Sequence, residues 1–210
     1  MQRDDIEAIK AYPLREFTRG QTIMLPGQPA DTLYVLQTGY ARVDSTNQRG
    51  TNQLIWLAGR YDVIPTESLF RPRGELYFSY TALTDSKAYQ IPKTDFLLMC
   101  EQSVGVLREV AQSMSAHYDD LLMRLRSVEQ STIRDKLIHS LYYIARRFSS
   151  ERDVDLASLG LHLSHQDIAQ MIGATRETTA IELKKLKDEG LIDYNRTSLL
   201  IRLDRLEPLL

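Results

Sequence analysis

The chain has 210 residues and an ordinary globular composition, with 26 Lys and Arg against 28 Asp and Glu and a formal net charge of −2. This balance excludes nucleic-acid binding through overall charge, so any such binding must rely on a local basic face. The single cysteine, Cys100, excludes a disulfide framework, and the lack of a long apolar run or a signal peptide leads us to expect a cytoplasmic protein with no membrane partner.

The N-terminal half has the pattern of a β-rich domain. Short alternating runs are separated by turn signals such as Pro26-Gly27 and Gly39. These runs cover residues 32–36, 40–43, 53–57, 77–82 and 87–91. Many short strands at nearly regular spacing predict a sandwich or barrel.

A long helix is predicted from Val104 to Val128, with apolar residues that recur at steps of three and four. This heptad seam favours a parallel coiled-coil homodimer. The seam residues are Leu107, Ala111, Met114, Tyr118, Leu121, Leu125 and Val128. The alternative is a single amphipathic helix that packs on its own barrel through Val106, Val110 and Leu122, which lie off the seam. We interpret His117, beside the seam, as an ordinary helix residue rather than a ligand.

After a predicted break at residues 129–131, a helix from Ile133 to Phe148 begins the C-terminal domain, and a polar loop follows over residues 149–156. Ser164 and Asp167 then form a helix-capping pair, and Gly173 ends that helix. Thr175 caps a second helix. This layout predicts a helix-turn-helix, and strands around residues 191–194 and 199–203 predict a wing.

The second helix presents a polar outer face that suits the major groove. Arg176 can pair with the two acceptors of guanine, and Glu177 can accept from cytosine. Ile181 suits a thymine methyl group. The predicted DNA-binding residues are Ser164, His165, Thr175, Arg176, Glu177, Thr178, Ala180, Ile181, Lys184 and Arg196 at the tip of the wing. The alternative is a small helical bundle with solvated charges.

The chain resembles the CRP/FNR family of transcription regulators. The resemblance rests on the Arg176-Glu177-Thr178 opening of the second helix and on a pattern in the barrel. That pattern consists of Gly20, Ile23, Gly27, Leu33, Tyr34, Leu36, Gly39 and Val43. It implies an α+β protein with a cyclic-nucleotide-binding-like jelly-roll barrel at residues 1–101, a dimerisation helix and hinge at 102–129, and a winged helix-turn-helix at 130–210. It also implies a homodimer on a pseudo-palindromic site in double-stranded DNA, with RNA polymerase as a partner.

The effector region departs from the pattern of family members that bind cyclic AMP. Those members carry Gly-Glu and then Arg-Ser or Arg-Thr, whereas this chain has Ile64 to Glu67 and then Leu76-Tyr77. A buried phosphate without a cation is costly, which argues against the standard cyclic AMP mode. A cyclic dinucleotide or another phosphorylated ligand stays open, as does a barrel without an effector. The candidate effector residues are Glu67, Arg71, Arg73, Tyr77, Tyr118, Leu121 and Leu122.

Two functions from different classes remain. The first is a sequence-specific DNA-binding transcription regulator of the CRP/FNR type. The alternative is a ligand-sensing regulatory interaction protein with weak or no DNA binding, which the balanced charge favours. We expect no enzyme and no metal site, because the sequence has neither a phosphate loop nor a cluster of metal-ligand residues.

Overall fold

The computed structural model describes residues 8–47, 50–71, 74–149, 156–194 and 199–210. The chain forms two compact units, Met1–Tyr118 and Asp119–Leu210. Within the described ranges, no helix is both long enough and apolar enough to cross a bilayer.

The first unit contains two four-stranded antiparallel sheets. One has the order β1-β8-β3-β6, and the other has the order β2-β7-β4-β5. The strands are β1 Leu14–Phe17, β2 Thr22–Met24, β3 Thr32–Thr38, β4 Ala41–Thr46, β5 Asn52–Ala58, β6 Val63–Ile64, β7 Ser79–Ala82 and β8 Ser86–Pro92. Each sheet joins strands that are distant in sequence, as in a jelly roll. The predicted jelly roll is confirmed, in the form of two sheets rather than a closed barrel.

Successive side chains of a strand point to opposite sides of a sheet, and β3 has buried side chains on both of its faces. Leu36 belongs to a core that also contains Ile64 and Tyr80. Leu33 and Val35 belong to a second core, which is completed by apolar residues of the following helices. The sheet that contains β3 therefore packs against one hydrophobic core on each of its two faces.

Two glycines with positive φ occupy different surroundings. Gly39 (φ +80°) turns the chain from β3 into β4, and a Cβ there would collide with the Ser86 side chain and the backbone of Asp85. Gly27 has almost the same φ, +81°, but a Cβ there would meet open space. Of these two glycines, Gly39 is required by both conformation and packing, and Gly27 by conformation alone.

Two helices follow the sheets, α1 over Lys93–Gln102 and α2 over Val104–Val128. Val106 and Val110 are buried in the second core, as predicted for residues that lie off the seam. The same prediction is wrong for Leu122, which is exposed. Because the side chain of Leu122 points to solvent, it adds nothing to a core.

The second unit contains the rest of the elements. They are α3 Ile133–Phe148, β9 Leu156–Leu159, α4 His165–Ile172, α5 Arg176–Asp188, β10 Ile192–Tyr194, β11 Leu199–Arg202 and α6 Leu203–Leu206. The three strands form one antiparallel sheet in the order β10-β11-β9. The predicted wing strands are present, and the turn between them, with Arg196, lies outside the described residues. Strand β9 and helix α6 were not predicted, and most of the predicted polar loop lies outside the described residues.

Candidate nucleic-acid interface and effector region

The turn between α4 and α5 is built by short-range hydrogen bonds that the sequence predicts. The Asp167 amide donates to the Ser164 hydroxyl at 3.1 Å, and the Ser164 amide donates back to the Asp167 carboxylate at 2.9 Å. Gly173 ends α4 in the left-handed conformation, with φ 68° and ψ 36°. The Thr178 amide then donates to the Thr175 hydroxyl at 3.2 Å and caps α5. The capping predictions are confirmed.

Helix α5 has one buried side and one exposed side. Thr179, Leu183 and Leu186 are buried and anchor the helix in the second unit. The Thr179 hydroxyl oxygen is buried and has no hydrogen-bond partner among the described residues. The predicted contact residues lie outward: Thr175, Arg176, Glu177, Thr178, Ile181 and Lys184 are exposed, and Ala180 is half-buried.

The charges on α5 divide into paired and unpaired groups. Lys185 forms an ion pair with Glu182 at 2.7 Å, and Lys187 forms one with Asp193, also at 2.7 Å. In the part of the chain that the structure describes, no ion pair or hydrogen bond engages the side chains of Arg176, Glu177 or Lys184. Three uncommitted charged side chains, those of Arg176, Glu177 and Lys184, therefore lie in the N-terminal two-thirds of the helix.

A bidentate ion pair holds the C-terminal end of α5 against α3. The Arg134 guanidinium donates to both carboxylate oxygens of Glu189, at 2.8 and 2.6 Å. These hydrogen bonds raise the pKa of Arg134 and lower that of Glu189. Arg134 is thereby committed to the fold, and it is not a free cation for a ligand.

The N-terminus of α4 lies beside the wing. The ring of His165 packs edge-on against Tyr194 of β10, with centroids 5.5 Å apart. The hydroxyl and amide of Ser164 are both engaged with Asp167. Ser164 therefore serves the fold as a cap, and the amides of His165 and Gln166, the first two of α4, have no acceptor earlier in the helix, as at any helix start.

In the effector region, one candidate residue, Glu67, is hydrogen-bonded to a buried tyrosine of the protein itself. The Tyr80 hydroxyl, in a fully buried residue, donates to Glu67 Oε1 at 2.6 Å. Burial raises the pKa of Tyr80, and the neighbouring carboxylate raises it further. Leu76, which we matched from the sequence to the arginine of cyclic AMP-binding family members, is only 3% exposed within the hydrophobic core.

The remaining candidate effector residues have other surroundings. The guanidinium of Arg71 lies 4.6 Å from the centre of the exposed Tyr77 ring. The Lys93 ammonium donates to the backbone carbonyl of Arg71 at 2.6 Å and so fixes this loop. Burial lowers the pKa of Lys93. Arg73 lies outside the described residues, and Tyr118, Leu121 and Leu122 are exposed on α2.

His117 occupies a position that the sequence prediction missed. It is 9% exposed, with its Nε2 atom 3.1 Å from Asp62 Oδ1 and its ring centroid 4.5 Å from that of Trp56. Asp62 Oδ2 accepts from the Gly59 amide at 2.7 Å. The spacing along α2 contained a signal for this burial. His117 lies seven residues after Val110, and it is therefore on the same side of the helix as the buried Val106 and Val110.

The predicted dimer seam is uncovered along α2. Leu107, Ala111, Met114, Tyr118, Leu121 and Leu125 are exposed, and Val128 is half-buried. An apolar stripe of this length on a helix surface is typical of a face that pairs with another helix.

The last turns of α2 contact α3 through polar side chains. Asp120 and Arg147 form an ion pair at 2.9 Å, and the Ser127 hydroxyl donates to the Lys136 carbonyl at 3.0 Å. Arg124 lies on the same side of α2, where burial lowers its pKa to about 10. These residues belong to a different side of the helix from the seam.

Comparisons with known proteins match both units. Residues 14–103 match the cyclic nucleotide-binding domain family, and residues 135–209 match the Crp-like helix-turn-helix domain family. The global nitrogen regulator of Synechococcus elongatus is 24% identical over 87% of this chain and 82% of its own length. A CRP-like cAMP-activated global transcriptional regulator of Mycobacterium tuberculosis is 25% identical over 89% of this chain and 82% of its own length.

The fold is similar to that of solved regulators. FixK2 from Bradyrhizobium japonicum superposes with a TM-score of 0.79, with 18% identity over 94% of this chain and 96% of the other. The shared order of a jelly roll, a long helix and a helix-turn-helix therefore extends over nearly the whole chain.

Proposed function

The chain belongs to the CRP/FNR family of DNA-binding transcription regulators, and we propose that it reads DNA as a homodimer through the exposed face of α5. It is not an enzyme. The observation that carries the proposal is the exposed and uncommitted pair Arg176 and Glu177 in the first turn of α5, a helix that Thr179, Leu183 and Leu186 anchor in the second unit. A major groove accepts a helix presented in this way.

The contact residues have different proposed roles. Arg176 donates to the N7 and O6 acceptors of a guanine, and Glu177 accepts from the amino group of a cytosine. Thr175, Thr178 and Lys184 are assigned to phosphates, which position the helix without reading sequence. His165 and Arg196 extend the phosphate contacts to α4 and the wing. Ala180 and Ile181 are assigned to positions that face the bases.

The seam on α2 supplies the proposed dimer contact. A two-fold dimer places two copies of α5 in successive major grooves, about 34 Å or one helical turn apart. The expected DNA site is therefore pseudo-palindromic. Because a dimer neutralises phosphates with twice the number of cations, affinity should fall steeply with salt despite the net charge of −2.

The match to a cyclic nucleotide-binding domain leaves a nucleotide as the class of effector. The Mycobacterium tuberculosis relative is called cAMP-activated. We propose that this chain does not use the standard cyclic AMP mode, for two reasons. Leu76 stands in place of the arginine that would hold the phosphate, and the carboxylate of Glu67 already accepts a hydrogen bond from the Tyr80 hydroxyl. DNA binding without added cyclic AMP is the expected behaviour.

Two further proposals follow from regulator function. A transcription regulator acts where the chromosome lies, which favours the cytoplasm. A relative from Cereibacter sphaeroides is called a transcriptional activator, which favours RNA polymerase as a protein partner. The alternative of a regulatory interaction protein without DNA binding is not favoured, since the contact face of α5 retains free charges.

Selection of sites from random duplex DNA, with purified protein and no ligand, tests the proposal. We expect a palindrome with half-sites about one turn apart. Arg176→Ala should weaken binding to that site by about 1–3 kcal/mol and relax the preference at one position. Lys185→Ala, which removes a paired cation from the same helix, is the matched control. An equal loss on random DNA would contradict direct base reading by Arg176.

A further inference from the structure

Ile181 is the most exposed large apolar side chain on the contact face of α5. It is 58% exposed, and it lies one helical turn after Glu177. With about 100° of rotation per residue, Ile181 lies about 170° around the helix axis from the centre of the buried stripe of Thr179, Leu183 and Leu186. The side chain thus points directly away from the fold that holds the helix.

The position gives Ile181 no role in stabilising the second unit. A β-branched residue has a lower helix propensity than the lysines and glutamate around it, so the helix itself gains nothing from isoleucine here. Its neighbour Ala180 is small and leaves the outer side of the helix open. The chemistry of this side chain suits an apolar surface outside the chain.

The edge of a base pair in the major groove offers one apolar group, the C5-methyl group of thymine. Guanine, adenine and cytosine present donors or acceptors there, and an isoleucine would remove water from them without replacing the hydrogen bonds. An isoleucine therefore discriminates both by gaining a methyl contact and by penalising polar edges.

The helix geometry sets the position of the contact relative to the G·C pair. One helical turn rises by about 5.4 Å, which corresponds to one or two base-pair steps of about 3.4 Å. A residue one turn beyond Glu177 therefore meets the adjacent pair or the next one.

We propose that Ile181 is a specificity-determining residue that selects thymine by contact with its methyl group. This inference rests on the proposed function, and it adds the identity of a second base in each half-site. The selected thymine lies one or two base pairs from the G·C pair that Arg176 and Glu177 read.

The test removes the methyl group from the DNA. In the selected site, each thymine is replaced in turn by deoxyuridine, and binding is measured by competition at fixed salt. We expect one position per half-site at which the wild-type protein loses about fourfold in affinity, which corresponds to about 0.8 kcal/mol for one buried methyl group. A 5-methylcytosine at that position should bind more tightly than cytosine.

Two variants assign the effect to Ile181. Ile181→Ala should bind thymine and deoxyuridine equally, because its side chain is too short to reach the methyl group. Arg176→Ala should bind more weakly overall and keep the preference for thymine. Ile181→Ala leaves a good helix former on the surface, so the variant should fold.

The outcomes separate this inference from the function beneath it. If the wild-type protein selects a site and does not distinguish thymine from deoxyuridine at any position, the inference fails and the proposed function stands. If Ile181→Ala keeps the discrimination, the inference also fails. If no site is selected from random DNA, both fail.

Discussion

The buried contact between His117 and Asp62 should contribute measurably to the stability of the first unit. An ionised carboxylate only accepts hydrogen bonds, so Nε2 of His117 donates to Asp62 across the 3.1 Å contact. Hydrogen bonds to charged groups contribute about 1.5–3 kcal/mol each. We therefore expect a coupling energy of about 1.5–3 kcal/mol in a double-mutant cycle of His117→Ala and Asp62→Ala, each of which removes one partner of the hydrogen bond.

The fluorescence of Trp56 is a suitable probe for this experiment. Trp56 is the single tryptophan of the chain, and its ring packs against His117. Its fluorescence during urea denaturation therefore reports the unfolding of the first unit rather than of the whole chain. Protein concentration must be held constant, because dimerisation shifts the apparent stability.

The matched control is an exposed ion pair in the same unit. Glu16 and Lys87 pair across β1 and β8, with 70% and 47% of their side chains exposed. Their cycle should give less than about 1 kcal/mol. If the cycle of His117 and Asp62 gave no more coupling than this exposed pair, burial of the contact would not strengthen it, and the reasoning would be refuted.

Three other substitutions test the seam, the core and a turn. Leu121→Lys should raise the dimer dissociation constant at least about tenfold in sedimentation experiments. Leu122→Lys, at an equally exposed position off the seam, should leave it unchanged, and equal effects of the two substitutions would contradict the seam. Thr179→Val should raise the free energy of unfolding by about 1 kcal/mol in thermal melts, because it removes a buried hydroxyl without a described partner; a loss would show that the hydroxyl is satisfied. Gly27→Ala should lower the free energy of unfolding by about 1 kcal/mol, and Gly39→Ala should lower it by at least about 2 kcal/mol more. Similar losses in the two variants would show that the collision at Gly39 is relieved.

The sequence predicted those features that depend on neighbours along the chain. The capping pair of Ser164 and Asp167, the turn at Gly173 and the cap at Thr175 each involve residues within four positions of one another. Their preferences are intrinsic to the residue types, so a single sequence is sufficient. The alternating runs of the jelly roll were predictable for the same reason.

The features that were missed depend on residues that are far apart in sequence. Strand β9 has four residues and becomes a strand because it pairs with β11, about 40 positions later. His117 is 55 positions from Asp62, and Tyr80 is 13 positions from Glu67. No local preference indicates these partners. The assignment of individual residues to DNA bases stays a prediction, since it depends on a molecule outside the chain.

The final turns of α2 have a consequence for the evolution of related regulators within one cell. Leu121 and Leu125 lie about 100° around the helix axis from Asp120 and Arg124, which contact α3. In the proposed dimer, substitutions of the leucines can therefore change which partner chain is accepted while the contacts to α3 stay intact. We expect that, after gene duplication, two copies can stop forming mixed dimers through a few substitutions in the proposed seam, and that each keeps its inherited DNA site until the proposed contact face of α5 changes.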